Sequence, residues 1–401
     1  MALLSVDEAL ERILEGVQPV SAETVPLAEA VGRVLAAPIE ARRTQPPFDA
    51  SAMDGYAVRD ADIASTPVTL KVIGTSAAGK RFDGEVTAGT AVRIFTGAPL
   101  PKGATTIVLQ ENARVIDEGR IEALEPAAPG RHIRRAGLDF RSGDTVLEAG
   151  RTLDPAALSL AAASGHAQVP VIRRPLVALI ASGDELVPPE AEPGPDQIIA
   201  SNNFGVAGLV QQDGGRVLDL GIVPDDHAGF AAAVRRAREA GADVLVTLGG
   251  ASVGDRDITR EVLAAEGMEL SFWKIAMRPG KPLIFGRLGR MSVLGLPGNP
   301  VSSLICAHVF LRPLVRRLGG RLHAPNLRQA ELGAPMPAND GRRDYVRATV
   351  VPGPGGLIAT PFPVQDSSML SVLAAANALI IRQPHAPAAE AGERCQVLML
   401  R

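Results

Sequence analysis

DVLVTLGGASVGDRD, the sequence from Asp243 to Asp257, joins an apolar run to a glycine-rich loop. The run, Val244 to Leu248, is short and bounded by glycines, which is typical of a strand buried on both faces of a parallel sheet. Glycines without a Cβ let backbone amides approach a ligand, and successive exposed N–H groups form a concavity for an anion. The stretch therefore predicts an α/β fold with a ligand-binding loop at a strand's carboxyl end.

A single Gly-Gly pair is more often a tight turn than a binding site. Two further loops of similar character weaken that alternative: one follows the apolar run Leu176 to Ile180, and the other follows Val293 and Leu294. Three loops with glycine and polar residues in one α/β segment favour a shared site. The candidate substrate-binding residues in these loops are Ser182, Gly183, Asp184, Gly249, Gly250, Ser252, Gly254, Pro297, Gly298, Asn299 and Pro300.

The composition is that of a folded protein with two to four domains, since the chain has 401 residues of which 46% are hydrophobic and 21% are charged. A formal charge of -3 gives no broad cationic field, which argues against nucleic-acid binding. The two cysteines, Cys306 and Cys395, lack a metal-type spacing and favour a reducing compartment. No signal peptide or apolar run of about 20 residues is present. We therefore expect a cytoplasmic protein that binds no membrane.

Local patterns predict four domains. A capping box at Ser5 and helical apolar spacing from Pro26 to Leu35 predict a helical N-terminal domain, formed by residues 1–45 and 137–172. Short β patterns predict a small β domain inserted at 46–136. Alternating strands and helices predict a central α/β domain with a mostly parallel sheet at 173–322. Renewed β patterns predict a C-terminal domain resembling a β-barrel at 323–401.

Carboxylates cluster at the expected carboxyl edge of the sheet: Asp184, Glu185, Asp225, Asp226, Asp255 and Asp257. Magnesium is usually held by one or two carboxylates together with substrate phosphates and waters, so this clustering predicts a Mg²⁺ site. The alternative is helix N-capping. That reading is strong for Asp225 or Asp226, but it is weaker for Asp255 and Asp257 together because one cap needs only one carboxylate.

A cationic segment follows, with Lys274, Arg278 and Lys281 within eight residues, although the chain has only five lysines. These cations could neutralise charge on a phosphoryl group or hold a second oxyanion. Alternatively, they form a solvated face. Together the loops, carboxylates and cations predict a Mg²⁺-assisted site for a phosphate-bearing, nucleotide-like ligand and a second anion.

Six motifs in this order resemble the molybdopterin molybdenumtransferase family, which includes the E domain of gephyrin. The resemblance covers essentially the whole chain. The motifs are Ser51–Ala57, Phe95–Pro101, Ser182–Leu186, Gly249–Asp257, Arg278–Pro282 and Leu296–Ser302.

The resemblance implies an enzyme that converts adenylylated molybdopterin and molybdate into molybdenum cofactor, with Mg²⁺ and release of AMP. It also implies that the third domain resembles the molybdopterin adenylyltransferases. The family is dimeric, so we expect a homodimer whose active site is completed by the partner subunit.

Residue roles are likewise implied by the resemblance. Asp225 and Asp257 match catalytic acidic residues, and Glu185 joins them as a metal ligand. Lys274, Arg278 and Lys281 match the cationic catalytic segment. The matched substrate-binding positions outside the α/β domain are Asp54, Thr96, Arg134, Asp139, Arg347 and Ser368.

Asp366 stands where this family usually has glycine, which leaves open whether Ser367 or Ser368 faces the ligand. Two other functions are possible from sequence. A molybdopterin adenylyltransferase would correspond to the third domain alone, and the long flanking domains argue against it. A non-catalytic cofactor carrier or scaffold is the second alternative. Sequence distinguishes neither molybdate from tungstate nor the enzymes that receive the product.

Overall fold

The computed structural model describes residues 3–250 and 258–401. The chain forms two compact units, the first comprising Met1–Glu23, Gly32–Val34 and Ile172–Arg401, and the second Thr24–Val31 and Leu35–Val171. The α-helices are α1 Val6–Leu14, α2 Pro155–Ala163, α3 Asn202–Gln212, α4 His227–Glu239, α5 Ile258–Ala265, α6 Pro300–Cys306, α7 Arg312–Leu318 and α8 Leu370–Ala375.

The strands, in chain order, are β1 Ala22–Pro26, β2 Ile39–Glu40, β3 Ala50–Ser51, β4 Gly55–Val58, β5 Val68–Ser76, β6 Thr90–Ile94, β7 Thr106–Leu109, β8 Ala113–Asp117, β9 Arg120–Ala123, β10 Ile133–Arg134, β11 Thr145–Leu147, β12 Gln168–Ile172, β13 Leu176–Ser182, β14 Leu186–Val187, β15 Ile198–Ile199, β16 Arg216–Val223, β17 Val244–Leu248, β18 Glu269–Lys274, β19 Met277–Arg278, β20 Pro282–Leu288, β21 Met291–Leu296, β22 Leu327–Leu332, β23 Arg343–Gly353, β24 Gly356–Pro361, β25 Ala378–Arg382 and β26 Arg394–Met399.

The second unit is built mainly from strands, so the prediction of a helical N-terminal domain was wrong. Its largest sheet has the order β7-β4-β6-β5-β9-β8, and only β5 and β6 run parallel. Within its described residues, α2 is the single α-helix, capped by Asp154, whose carboxylate accepts a hydrogen bond from the Ala157 amide.

The helix expected from Pro26 to Leu35 is replaced by the end of β1 and a 3-10 turn at Leu27–Glu29. Gly32 follows with φ +69°, a left-handed conformation that ends helical structure. The capping box at Ser5 does start α1 as predicted, but α1 belongs to the first unit. Its apolar face, with Ala9 and Ile13, packs into the core of the α/β domain rather than into an N-terminal helical domain.

The central sheet of the first unit is mixed, with the order β16-β13-β17-β21-β20-β18. The first four strands are parallel, in agreement with the expected mostly parallel sheet, and the sheet is mixed because β20 pairs antiparallel with both β21 and β18. Apolar side chains from both faces of β17 are buried: Val246 lies in the core beneath α1, α3, α6 and α7, and Leu245 in the core beneath α4 and α5. This two-sided burial explains the unbroken run from Val244 to Leu248.

The C-terminal strands close into a five-stranded barrel in the order β23-β24-β22-β26-β25, because β25 also pairs with β23. β19, from the α/β domain, adds to the outside of β23 in parallel. Ala348 and Val397 are among the fully buried residues of the barrel core. In the described part of the chain, no helix has both the length and the apolarity needed to cross a membrane.

Phe230 tests the packing of α4 on the sheet, because its side chain is fully buried there. We expect Phe230→Ala to lower the free energy of unfolding of the first unit by about 3–5 kcal/mol, since the change removes a large apolar group and leaves a cavity. The measurement is urea denaturation followed by emission of Trp273, the sole tryptophan, which lies on β18. Arg236→Ala, on the exposed face of the same helix, should change the same quantity by less than about 0.5 kcal/mol. Equal losses in both variants would contradict the packing described.

Candidate active site

The loops that follow β13, β17 and β21 lie side by side at the carboxyl edge of the central sheet. Parallel register pairs Ala181 with Leu248, and Leu248 with Leu296, so the three loops begin at the same level. Gly249 has φ +98°, and a Cβ there would lie 2.4 Å from the Ser182 carbonyl oxygen. A Cβ on Gly298 would lie 3.6 Å from the Cα of Gly249. The structure therefore brings Ser182, Gly249 and Gly298 together, while Ser252 and Gly254 fall outside the described residues.

Asp225 and Asp226 are neighbours in sequence with different partners. Asp226 is the N-cap of α4, and its carboxylate accepts a hydrogen bond from the Gly229 amide at 2.7 Å. Asp225 instead accepts a hydrogen bond from the Ser182 hydroxyl at 2.7 Å, which ties it to the loop after β13. Its amide donates to the Asp184 carboxylate at 3.0 Å. Capping therefore accounts for Asp226 but not for Asp225, which faces the shared edge of the sheet.

Glu185 completes the described acidic group at this edge. A Cβ on Gly183 would lie 2.4 Å from a carboxylate oxygen of Glu185, so that carboxylate folds back over the glycine. Among the described residues, no three acidic, histidine or cysteine side chains form a metal cluster of their own. Glu185 and Asp225 nevertheless offer hard oxygen donors, as Mg²⁺ requires when substrate phosphates and waters supply its remaining ligands. Asp257, the third predicted ligand, is outside the described residues.

The helix that starts at Pro300 connects this edge to the barrel. Pro300 occupies the first helical position, as its lack of an N–H predicts. Asn299 donates from its side chain to the Ser367 hydroxyl at 3.1 Å, and the Ser367 carbonyl accepts from the Val301 amide at 3.1 Å. Asn202 donates to the Gly298 carbonyl at 2.7 Å.

Asn202 was absent from the predicted site, and Ser367 was named only as an open alternative to Ser368. Their contacts join segments far apart in sequence, so spacing alone gave no signal for them. Pro297, like Gly298, lies in the loop that they hold.

Arg347 is a buried cation in the barrel wall, with a relative exposure of 1%. Its terminal nitrogen donates to the Asp366 carbonyl at 3.2 Å, and its Nε has no hydrogen-bond partner within the described residues. Burial lowers the pKa of this guanidinium. A buried charge with an open donor is costly, so the site is suited to an anion.

Ser368 lies two residues after Asp366, and its donors are bound to the carboxylate of that residue. Its amide and hydroxyl both donate to one oxygen of Asp366, at 2.8 and 2.6 Å. These hydrogen bonds lower the pKa of Asp366. Of the two serines left open by the sequence, Ser367 contacts the α/β domain and Ser368 contacts Asp366.

The cationic segment is only partly available for a ligand. Arg278 donates from Nε to Asp344 at 3.0 Å and from a terminal nitrogen to Asn339 at 3.1 Å, and the Asp344 hydrogen bond raises its pKa. Its charge is thus already compensated by the barrel. The Lys274 ammonium lies 3.6 Å from the ring centroid of Trp273, and Lys281 accepts from the Ile275 amide through its carbonyl, leaving its side chain exposed.

The remaining predicted residues belong to the second unit. Asp54 accepts hydrogen bonds from the amide and hydroxyl of Thr96 at 2.7 and 2.8 Å, and these bonds lower its pKa. Arg134, on β10, is exposed and pairs through its backbone with β3. Asp139 is exposed, and its amide donates to the Gln45 carbonyl. The structure joins Asp54 to Thr96 and records no side-chain contact between that pair and Arg134 or Asp139 among the described residues.

Three family profiles match the chain in succession. They are the MoeA N-terminal region (domain I and II) at residues 4–165, a probable molybdopterin binding domain at 178–317, and the MoeA C-terminal region (domain IV) at 329–400.

Curated relatives match over most of their length. A molybdopterin molybdenumtransferase of Haemophilus influenzae is 41% identical over 320 residues, covering 80% of this chain and 78% of the relative. Molybdopterin molybdenumtransferase 2 of Mycobacterium tuberculosis is 36% identical over 407 residues, covering 98% of each chain. The crystal structure of the molybdopterin biosynthesis MoeA protein from Pyrococcus horikoshii is similar with a TM-score of 0.87 and 30% identity, covering 100% of both chains.

The order of the three profiles and the extent of these matches agree with the six sequence motifs and with the loops that meet at the sheet edge. The chain belongs to the MoeA family of molybdopterin molybdenumtransferases.

Proposed function

We propose that this protein inserts molybdate into adenylylated molybdopterin, cleaving the phosphoanhydride bond and releasing AMP and molybdenum cofactor. The observation that carries the proposal is the meeting of the Ser182, Gly249 and Gly298 loops beside the carboxylate of Asp225. Glycine loops at the carboxyl edge of parallel strands suit a nucleotide phosphate. The family membership supports the same reaction.

The phosphoanhydride is bound by backbone amides of these loops and by the helix start at Pro300. Gly249 and Gly298 keep the loops close enough for one ligand to reach all of them. The Asn202 side chain donates a hydrogen bond to the Gly298 carbonyl, which orients that peptide group and holds the loop in place. The loop residues thus orient the bond to be cleaved, and orientation alone supplies a large part of many rate enhancements.

We assign the magnesium ligands to Glu185, Asp225 and Asp257. A bound Mg²⁺ would act as a Lewis acid on phosphate oxygens and neutralise charge that develops during cleavage. Ser182 orients Asp225 through its hydroxyl, so it serves as a positioning residue for that ligand. The Asp184 carboxylate accepts a hydrogen bond from the Asp225 amide and so helps to hold Asp225 in place.

Molybdate, the second substrate, is assigned to the cations around the barrel wall. Arg347 has an open donor and a buried charge, and Ser368 is hydrogen-bonded to Asp366, whose carbonyl accepts from Arg347. Lys274 and Lys281 add positive charge without a carboxylate partner in ion-pair range among the described residues. Arg278 is assigned a structural role, since it binds the barrel through Asp344. It adds to the positive electrostatic potential at the site but does not contact molybdate directly.

The enzyme is proposed to be a cytoplasmic homodimer in which the partner subunit completes each active site. Asp54, Thr96, Arg134 and Asp139 then belong to the part of the site that the partner supplies. The low pKa of Asp54 keeps it ionised, so it can accept hydrogen bonds from a substrate.

The reaction is tested by incubating the purified protein with adenylylated molybdopterin, molybdate and Mg²⁺ and measuring AMP by chromatography. We expect AMP release that requires molybdate, stops with excess EDTA and returns when Mg²⁺ is restored. Turnover only with ATP and free molybdopterin would instead identify an adenylyltransferase. Binding without any turnover would identify a carrier or scaffold.

Asp225 and Asp226 form a matched pair for testing the metal assignment. Asp225→Asn should lower the rate of AMP release by about 100-fold, because it removes a charged ligand. Asp226→Asn should leave the rate within about two-fold, since asparagine caps a helix as well as aspartate does. Both rates are measured at saturating Mg²⁺, with thermal melting as a check of folding. Similar rates in the two variants would reject Asp225 as a ligand.

The shared active site predicts complementation between inactive variants. Sedimentation equilibrium should give twice the 41.8 kDa mass of one chain. Asp225→Asn and Asp54→Ala, each inactive alone, should regain about one quarter of wild-type activity after subunit exchange, because half of the dimers are mixed and each mixed dimer has one intact site. A dimer that shows no recovery would place Asp54 and Asp225 in the same subunit's site.

A further inference from the structure

A cavity of 580 Å³ lies between α1, the helix from α6 to α7, and the barrel. The helix begins at Pro300 beside the strand-end loops and continues through a π-helical turn to Leu318. The residues of this helix that line the cavity lie between His308 and Arg316. They follow Pro300 by 8 to 16 positions, which places them about 12–24 Å along the helix from its start. The cavity is therefore distinct from the site of the proposed reaction.

One wall of the cavity carries more positive than negative charge. Arg312 and Arg316 share one carboxylate, that of Asp213, whose exposure is 1%. Arg312 donates to it at 2.7 and 3.2 Å, and its other terminal nitrogen lies 3.2 Å from the His308 Nδ1, so each of its three nitrogens has a partner. Arg316 uses only its Nε, at 2.9 Å, within the described residues. The terminal nitrogens of Arg316 are thus available to a ligand, and one guanidinium charge is uncompensated.

The other charged groups of the cavity do not cancel this excess. Arg343 pairs with Asp7 through two hydrogen bonds of 2.7 and 2.6 Å, which balances both charges and fixes α1 against the barrel. Burial lowers the pKa of His308 to about 4, so it is neutral near pH 7. His323 also has a lowered pKa, and its buried Nδ1 has no hydrogen-bond partner in the described part of the chain. Arg401 also lines the cavity, and one of its terminal nitrogens donates to the Ala374 carbonyl at 3.0 Å, so its guanidinium adds to the positive charge. The cavity thus presents two cationic groups, of Arg316 and Arg401, and one open polar atom.

Apolar side chains cover much of the remaining wall. They come from all three elements that enclose the cavity: Leu10, Val309, Leu327, Ile381, Leu398 and Leu400. The volume is in the range of cavities that hold small organic ligands. A bare inorganic anion would leave this apolar surface in water, whereas an amphipathic molecule would cover it.

We propose that this cavity binds a small organic anion, with a single carboxylate, sulfonate or phosphate monoester group at Arg316 and an apolar body against the leucine-rich wall. The bidentate Arg343–Asp7 pair keeps the wall formed by α1 in place before the ligand enters. The site is independent of molybdenum insertion, so it is tested by binding alone.

The probe pair is 8-anilinonaphthalene-1-sulfonate and its uncharged analogue N-phenyl-1-naphthylamine, titrated into the whole protein by fluorescence. We expect saturable binding of the sulfonate with one site per chain. Arg316→Gln should weaken sulfonate binding by about 10-fold, the effect of losing a charge-assisted hydrogen bond, and should change binding of the neutral probe by less than two-fold. Asp213 keeps both hydrogen bonds from Arg312 in this variant, and Trp273 emission checks folding.

Two further variants locate the site. Arg236→Gln removes an equal charge from the exposed face of α4 and should leave the affinity for both probes unchanged. Ala324→Trp fills the cavity from an exposed loop position and should weaken both probes. Equal sulfonate affinity in wild type and Arg316→Gln, or undiminished binding of both probes in Ala324→Trp, would overturn the proposal.

Discussion

The close approach of Gly249 to the Ser182 carbonyl is the constraint on which the candidate site depends. A Cβ at 249 would lie 2.4 Å from that oxygen, a separation that real side chains do not reach. Any larger residue would push the loop after β17 away from the loop after β13. Because β21 is in register with β17, the Gly298 loop would also lose its neighbour. The shared edge thus exists because backbone packs on backbone there, and the polar side chains are added to a geometry already set.

Helix capping distinguishes the two neighbouring carboxylates that precede α4. The first turn of α4 has unsatisfied amide groups, and Asp226 satisfies one at Gly229. With that requirement met, Asp225 is free to turn toward β13, where Ser182 holds it by one hydrogen bond. The two aspartates are chemically identical and adjacent, so their difference arises from position alone. Asp226 is the N-cap of α4, whereas Asp225, one residue earlier, lies between the end of β16 and the helix.

Sequence reasoning succeeded where a pattern is local and failed where partners are distant. The run at Val244–Leu248, the capping box at Ser5 and Pro300 at a helix start all report on neighbours within a few positions, and each formed the predicted element. The segment from Pro26 has helical spacing, but Gly32 takes a left-handed conformation that the spacing does not reveal. Arg278 pairs with Asp344, 66 positions away, and no spacing rule reports such a contact. The sequence likewise could not predict which domain α1 packs against, because an apolar helix face does not identify its packing partner.

Asp366, where the sequence departs from the family pattern, contacts both Ser368 and Arg347. The resemblance to the family implies glycine there, whereas this aspartate accepts both donors of Ser368, and these hydrogen bonds lower its pKa. The backbone carbonyl of Asp366 accepts a hydrogen bond from Arg347. Asp366 therefore occupies one donor of the buried guanidinium and also carries a negative side chain. An oxyanion approaching Arg347 therefore meets an opposing charge that glycine would not supply. The open Nε of Arg347 preserves an attractive contact. Attraction to the guanidinium and repulsion by Asp366 both scale with the charge of an oxyanion, so the distances of the bound oxyanion from the two groups decide which one prevails.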